Sequence, residues 1–164
     1  MQISSLLWEE IFHVQSRKGG AAMTPQELAE AAAAAMWNDD SASQRLGMAL
    51  ERIAPGEAVL SMTITDQMTN GHGMCHGGYM FLLADSAFAF ACNSYNQRVV
   101  AQHCSISYLI PVARGTRLMA HAREISRRGR SGIYDVRLST EAGEVVAEFR
   151  GHSRVIPGTH LGEG

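Results

Sequence analysis

Two features of the sequence provide groups that could take part in a reaction: a pair of glycines and an aspartate that follows it. His76-Gly77-Gly78 ends a loop rich in turn residues, and the apolar tract Tyr79 to Cys92 comes directly after it. The first N–H groups of a helix have no partner within the helix and lie at the positive end of its dipole. Glycine also lets a ligand approach the backbone closely. The junction is therefore predicted to hold an anion or a developing oxyanion, and the alternative is a simple tight turn.

Asp85 is the second feature, because with Ser86 it interrupts the apolar tract. A carboxylate in an otherwise apolar helix costs on the order of several kcal/mol unless it is paired or used. The functional interpretation is a general base or a nucleophile. The structural alternative is a buried aspartate that is hydrogen-bonded to backbone or to an arginine.

The spacing of these two features bears on oligomeric state. Asp85 follows Gly77 by eight residues, which at the rise of an α-helix is about 12 Å along one helix. Both groups therefore cannot contact the same carbonyl carbon within one chain. If the Gly77 amide holds the carbonyl oxygen, the attacking carboxylate has to come from a second copy. The sequence thus predicts a homo-oligomer with antiparallel helices about a two-fold axis and two equivalent sites.

Other polar residues flank the glycine pair. Asn70 and His76 are candidates for orienting a carbonyl, a water or the neighbouring carboxylate, and the alternative is a role in turns and capping. The spacing of His72, Cys75 and His76 matches no standard zinc pattern, so no metal site is expected. The sequence contains neither a GxSxG elbow nor a Walker-A loop, which argues against serine hydrolases of that type and against P-loop kinases.

The elements that position these groups follow from local patterns. A capping box that begins at Thr24 predicts a helix over residues 25–37, followed by a short helical piece near 39–46. Apolar and polar residues alternate over 56–65, which predicts a half-buried strand. The tract 79–92 is apolar on nearly every face, so this helix has to be buried all round.

Four further strands are predicted after the buried helix, over Val99–Leu109, Arg117–Arg127, Gly132–Thr140 and Val145–Arg154. One buried helix followed by an antiparallel meander implies an α+β fold, with a curved antiparallel sheet wrapped around one long central helix. A chain of 164 residues suits one such domain.

The expected organisation is an N-terminal extension over 1–22, a helical segment over 23–48, the main domain over 49–158 and a tail over 159–164. Met23 is the candidate original start, which would make the extension non-native. The longest apolar tract is shorter than the ~20 residues of a membrane span, and the first residues lack the features of a secretory signal. Three cysteines at unrelated spacings fit a reducing compartment, so a cytoplasmic protein is expected.

Charge is distributed unevenly along the chain. Residues 1–66 carry nine acids and four bases, whereas residues 98–154 hold ten arginines. This asymmetry favours an anionic partner for the C-terminal half. Few aromatic residues lie among the arginines, so a small phosphorylated ligand is favoured over nucleic acid, and no nucleic-acid partner is expected.

The segment Asn70 to Ser94, NGHGMCHGGYMFLLADSAFAFACNS, closely resembles the phenylacetic acid degradation thioesterases (PaaI type) of the hotdog superfamily. The resemblance continues through Tyr108–Pro111, Ser131–Val136 and Phe149–Ser153, and it covers roughly residues 36–158. It implies a hotdog fold and hydrolysis of acyl-CoA thioesters without a cofactor. The implied substrate is phenylacetyl-CoA or a ring-hydroxylated derivative, and the implied assembly is a tetramer built from two hotdog dimers.

The resemblance also implies roles for individual residues. The residue matching Gly77 polarises the thioester carbonyl through its amide, and the residue matching Asp85 acts from the partner subunit as nucleophile or general base. The residue matching Asn70 contacts or orients the thioester, with His76 beside it. Gly78, next to the amide that binds the carbonyl, is expected to contact the substrate.

One departure concerns the start of the next strand, where some related hotdog thioesterases place a serine or threonine that holds the attacking water. This chain has Ala101-Gln102-His103 there, and Gln102 is the candidate substitute.

Arg128 and Arg130 are the candidates for binding the phosphates of CoA. The alternative function is a non-catalytic module that binds acyl-CoA or an acyl carrier. The central helix lacks the additional histidine expected of a dehydratase.

Overall fold

The structure of the protein is a computed structural model that describes residues 22–162. The predicted extension over 1–22 therefore lies outside the described residues, apart from its last residue. Two helices come first, and six strands and a long helix follow. In chain order they are α1 (Pro25–Asp39), α2 (Ser41–Arg45), β1 (Ala49–Ala54), β2 (Glu57–Thr63), the 3-10 turn Asp66–Met68, α3 (Gly77–Asn93), β3 (Val99–Tyr108), β4 (Arg117–Arg128), β5 (Ser131–Thr140) and β6 (Val145–Val155).

The six strands form one antiparallel sheet in the order β1-β2-β4-β5-β6-β3. Helix α3 packs against all six strands, and its apolar side chains form the core together with the inward-facing strand residues. The predicted α+β architecture, with a sheet around one buried helix, is confirmed. The first helix also begins as predicted, with Thr24 as N-cap and a complete capping box to Glu27.

Close contact between α3 and the sheet depends on Gly151 in β6. A Cβ atom there would lie 2.8 Å from the ring of Phe88, which is fully buried on α3. Interiors pack at high density, so the missing side chain lets the helix lie close to the strands. This contact sets the depth at which α3 lies in the sheet.

Strand β1 was not predicted from the sequence. Its register with β2 shifts between Leu50 and Arg52, so a bulge breaks the alternation that marks a strand. The buried residues Leu50 and Ile53 are consequently three positions apart, which is a helical spacing rather than a strand spacing.

Strand β3 is an edge strand, because β6 is its only neighbour in the sheet of the described chain. Many of its side chains are exposed, including Val100 at 44% and Tyr108 at 48%. A long edge strand with exposed apolar side chains presents backbone groups to which another chain can pair.

Candidate active site

Helix α3 begins at Gly77, with His76 as its N-cap. The Nδ1 atom of His76 accepts a hydrogen bond of 2.9 Å from the Gly78 N–H, and the backbone N–H of His76 donates to the Met68 carbonyl at 2.8 Å. The Gly78 amide is thus already satisfied. No acceptor within residues 22–162 takes the Gly77 N–H. Gly77 therefore provides the free donor at the positive end of the helix.

Tyr108, near the end of β3, holds Gly77 in place. Its hydroxyl donates to the Gly77 carbonyl at 2.9 Å. A Cβ atom on Gly77 would lie 2.9 Å from the Tyr108 ring, closer than real Cβ contacts. Any side chain at this position would have to displace the Tyr108 ring, so glycine allows the close contact between α3 and Tyr108.

Asn70 organises the loop before the helix. Its Oδ1 atom accepts from the backbone N–H groups of His72 at 2.9 Å and Met74 at 3.3 Å. Its backbone N–H donates to the Met74 carbonyl at 2.8 Å. Within the described part of the chain, no acceptor takes the Nδ2 amide of Asn70. The Oδ1 atom of Asn70 therefore has the predicted role in the turn, and the Nδ2 amide is available to donate to a ligand.

Asn70 and Gly77 lie on one pocket of about 450 Å³, called the loop pocket below. Its wall is mostly apolar, and the full lining is Asn70, Met74, Cys75, Gly77, Met80, Tyr108, Leu109, Ile110 and Pro111. An apolar pocket with a few convergent polar donors is typical of a site for an organic ligand.

Asp85 lies two turns further along α3 and is half-buried. The thiol of Cys104 on β3 contacts its carboxylate, with 3.7 Å between Sγ and Oδ1. Burial raises the pKa of the Asp85 carboxyl, and the thiol contact acts in the opposite direction. Within residues 22–162, neither an arginine nor a backbone N–H contacts this carboxylate. The described chain therefore does not show the alternative interpretation, in which Asp85 is a structural residue hydrogen-bonded to backbone or to an arginine.

Strand β3 gives a second measure of the separation between the two candidate groups. Gly77 contacts Tyr108 and Asp85 contacts Cys104, which is four residues earlier on the same strand. Four residues of a strand span about 13 Å, in agreement with about 12 Å along the helix. One subunit therefore does not bring the Gly77 amide and the Asp85 carboxylate together.

A second pocket, of about 600 Å³, contains Gln102 and Arg128 and is called the strand-end pocket below. Its lining is Gln102, His103, Ser126, Arg128, Ser131, Gly132, Ile133, His152 and Ser153. Gln102 lies at a bulge where the register of β3 with β6 shifts. Arg130 is outside this lining, and its Nε and Nη2 atoms donate to the Val155 carbonyl at 3.1 and 3.0 Å.

Most of the arginines that suggested an anionic partner form ion pairs with carboxylates. Six arginines pair in this way, five of them with carboxylates more than ten residues away and Arg127 with a carboxylate three residues away: Arg114 with Asp66, Arg117 with Glu51 and Glu141, Arg123 with Glu57, Arg127 with Glu124, Arg137 with Glu148, and Arg150 with Asp135. Arg128 has no carboxylate partner among residues 22–162. The charge asymmetry of the sequence therefore overstates the positive potential of the surface, and Arg128 is the arginine left available in a pocket.

Metal-ligating side chains do not cluster in the described part of the chain. No three His, Cys, Asp or Glu side chains come close enough together there to hold a metal ion. None of the helices between residues 22 and 162 is long and apolar enough to cross a membrane. Cytoplasmic localisation stays a prediction.

Comparison with known proteins gives consistent matches. The sequence profile of the thioesterase superfamily matches residues 72–147. The chain is 43% identical over 129 residues to the acyl-coenzyme A thioesterase PaaI of Escherichia coli K12, covering 79% of this chain and 92% of that protein. The chain belongs to the thioesterase superfamily.

Solved structures agree with this assignment. The structure of PaaI from the phenylacetic acid degradation operon of E. coli superimposes with a TM-score of 0.81 and 40% identity, covering 83% of this thioesterase and 99% of PaaI. A variant of the phenylacetic acid degradation protein PaaI of Thermus thermophilus gives a TM-score of 0.67 and 36% identity, covering 70% and 97% of the two chains. The predicted hotdog fold and the PaaI-type resemblance are confirmed.

Sequence reasoning missed the two β3 residues that contact the candidate groups, Tyr108 and Cys104. Each contact joins residues distant in the chain, by 31 positions for Tyr108 and Gly77 and by 19 for Cys104 and Asp85. One signal was available in the sequence. The four residues of strand from Cys104 to Tyr108 span nearly the same length as the eight residues of helix from Gly77 to Asp85.

Replacement of Gly77 by alanine keeps the backbone N–H but is expected to move it, and so to lower kcat toward the roughly 10²-fold loss that follows removal of one oxyanion donor. The added Cβ would collide with the Tyr108 ring, so the hydrogen bond from Tyr108 to the Gly77 carbonyl at the start of α3 would be disturbed. Steady-state kinetics on a thioester measures the effect.

The matched control for this substitution is Gly71→Ala in the same loop, where an added Cβ meets no atom within 4 Å. Circular dichroism should show both variants folded. Equal activity of Gly77→Ala and Gly71→Ala would contradict the expectation that the close contact between Gly77 and Tyr108 positions a catalytic amide.

Proposed function

We propose that this thioesterase hydrolyses acyl-CoA thioesters, with phenylacetyl-CoA or a ring-hydroxylated phenylacetyl-CoA as its preferred substrate. The observation that supports the activity most directly is that, among residues 22–162, the Gly77 N–H in an apolar pocket has no acceptor and the Asp85 carboxylate has no cationic partner. The family assignment supports thioester cleavage as the chemistry.

In the proposed mechanism the acyl group occupies the loop pocket, and its carbonyl oxygen accepts a hydrogen bond from the Gly77 N–H. The positive end of α3 stabilises the negative charge that develops on this oxygen. The Nδ2 amide of Asn70 is a second donor on the same pocket wall. His76 shapes the site indirectly, because its ring caps the helix and satisfies the Gly78 amide.

Asp85 supplies the other half of the reaction, in one of two ways. As a general base it accepts a proton from water, and the resulting hydroxide adds to the carbonyl carbon. As a nucleophile it attacks the carbon itself and forms an anhydride that water then hydrolyses. In both cases the carbon–sulfur bond breaks and CoA leaves as a thiolate, which takes up a proton.

The Asp85 that acts on each carbonyl is proposed to come from the partner subunit. Antiparallel pairing of two β3 edge strands would extend the sheet from one subunit into the other. If the two-fold axis passes beside Ile106, Cys104 of one chain lies opposite Tyr108 of the other, since both are two residues from the axis. The Asp85 carboxylate beside Cys104 would then lie near the partner's Gly77 beside Tyr108. Pairing of two such dimers gives the proposed homotetramer.

Preference for an aryl acyl group is supported by the pocket and by the relatives. Side chains of Met74, Met80 and Tyr108 give the loop pocket an apolar wall with one exposed aromatic ring, and aromatic rings attract one another beyond simple burial. The matched E. coli protein is an acyl-coenzyme A thioesterase from the phenylacetic acid degradation operon.

The CoA phosphates are proposed to bind at the strand-end pocket. Arg128 lines it and lacks a carboxylate partner among residues 22–162, and a guanidinium matches phosphate geometry. Gln102 lies on the same wall as a neutral donor. Arg130 is the weaker candidate, because its guanidinium already donates twice to Val155.

Replacement of Asp85 by asparagine is expected to lower kcat by about 10²- to 10⁴-fold, the range for loss of general acid–base catalysis. Thiol release from phenylacetyl-CoA and its 3- and 4-hydroxy forms should be measured beside straight-chain acyl-CoAs. Because burial raises the pKa of Asp85, the acid limb of the wild-type pH profile should lie above the range of an ordinary aspartate.

Asp66→Asn is a matched control for Asp85→Asn, since Asp66 is an exposed aspartate paired with Arg114. Near-wild-type turnover of a folded Asp85→Asn enzyme would contradict the mechanism. Binding of acyl-CoA by the wild type without any thiol release would favour the alternative of a non-catalytic binding module.

Arg128→Ala is expected to raise KM for the acyl-CoA roughly five-fold, the factor that about 1 kcal/mol of lost interaction gives, with kcat unchanged. The same acyl group on pantetheine, which has no phosphate, should show no difference between wild type and variant. Arg137→Ala, which removes an exposed ion pair with Glu148, is the control. An equal loss on both substrates would show that Arg128 does not bind phosphate.

A further inference from the structure

Cys104 is the only side chain within residues 22–162 that forms a hydrogen bond with the Asp85 carboxylate. It projects from edge strand β3 toward α3, opposite Gly151 in the neighbouring strand. Its thiol is partly buried, and the distance from Sγ to Oδ1 is 3.7 Å. A thiol is a weak donor, so this contact can orient a carboxylate without neutralising it.

The second thiol near Asp85 has a different partner. Cys92 lies on α3 itself, and its Sγ donates to the Ala89 carbonyl at 3.4 Å. Cys92 and Cys104 are the titratable groups in the described chain that interact electrostatically with Asp85. Of these two thiols, only Cys104 contacts the carboxylate.

We propose that Cys104 is a positioning residue, whose thiol holds the Asp85 carboxylate in its reactive orientation. This inference rests on the proposed function, because it assigns Cys104 a role through the carboxylate of that mechanism. In this role Cys104 acts through Asp85 and takes no direct part in the reaction.

The electrostatics of the pair suit this role. Burial, followed by the charge of Asp85, raises the pKa of the Cys104 thiol to about 11. At neutral pH it is therefore a protonated donor and not a competing nucleophile, since the thiolate is the reactive form. Burial alone disfavours the carboxylate, and the thiol hydrogen bond offsets part of that effect.

Two substitutions separate this role from packing. Cys104→Ala removes the donor, so the Asp85 titration should move to higher pH. Cys104→Ser keeps a donor and supplies a stronger one, so the titration should return to the wild-type position or below it. The serine variant is also closer in size to cysteine than the alanine variant is, which protects the test if the alanine variant folds poorly.

The titration can be measured without any activity assay, by carbon-13 NMR of the assembled enzyme labelled at aspartate carboxyls. The sequence has five aspartates, so five resonances are expected, and Asp85→Asn assigns the one that matters. In parallel, the acid limb of the pH profile of kcat/KM should move in the same direction as the NMR titration. Cys92→Ala is the control, because it removes a neighbouring buried thiol that does not contact the carboxylate.

An Asp85 titration that stays in place or moves to lower pH in Cys104→Ala would overturn the proposal, as would an equal shift in Cys92→Ala. Failure of the proposed function gives a different result. In that case the NMR titration shifts as expected while the wild-type enzyme releases no thiol from any acyl-CoA.

Discussion

Helix α3 is rigid and buried, and it fixes the Gly77 amide and the Asp85 carboxylate about 12 Å apart. Neither group can move toward the other, because the helix packs against every strand of the sheet. An oxyanion donor and an attacking group have to lie within about 3 Å of the same reacting centre. The separation is thus a constraint that a single subunit cannot satisfy, and the rest of the site is arranged around it.

Edge strand β3 links the two groups to a surface where a second copy can dock. Its Tyr108 holds the start of α3, and its Cys104 contacts the carboxylate in the middle of the helix. The strand that would form the subunit interface therefore also positions both halves of the proposed site. Under the proposed mechanism, assembly and catalysis would depend on the same few side chains, so changes at β3 should affect both.

Features that depend on neighbouring residues in the chain were predicted well from the sequence. The apolar tract, its glycine start and the isolated Asp85 identified the central helix and the candidate site. Prediction failed for β1, where a bulge removes the alternation, and for the arginines, whose carboxylate partners lie up to 66 residues away. Tyr108 and Cys104 were missed because the residues that they contact on α3 are also distant in sequence. Contacts between a helix and a distant strand leave no local pattern.

The central claim, that each active site combines Gly77 of one subunit with Asp85 of another, is tested most directly by mixed dimers. Asp85→Asn and Gly77→Ala chains with different tags are co-expressed, and dimers carrying both tags are purified. One site of such a dimer holds both defects and the other holds neither, so about half of the wild-type kcat should return from two inactive parents. Activity no higher than that of the parents would contradict a shared site.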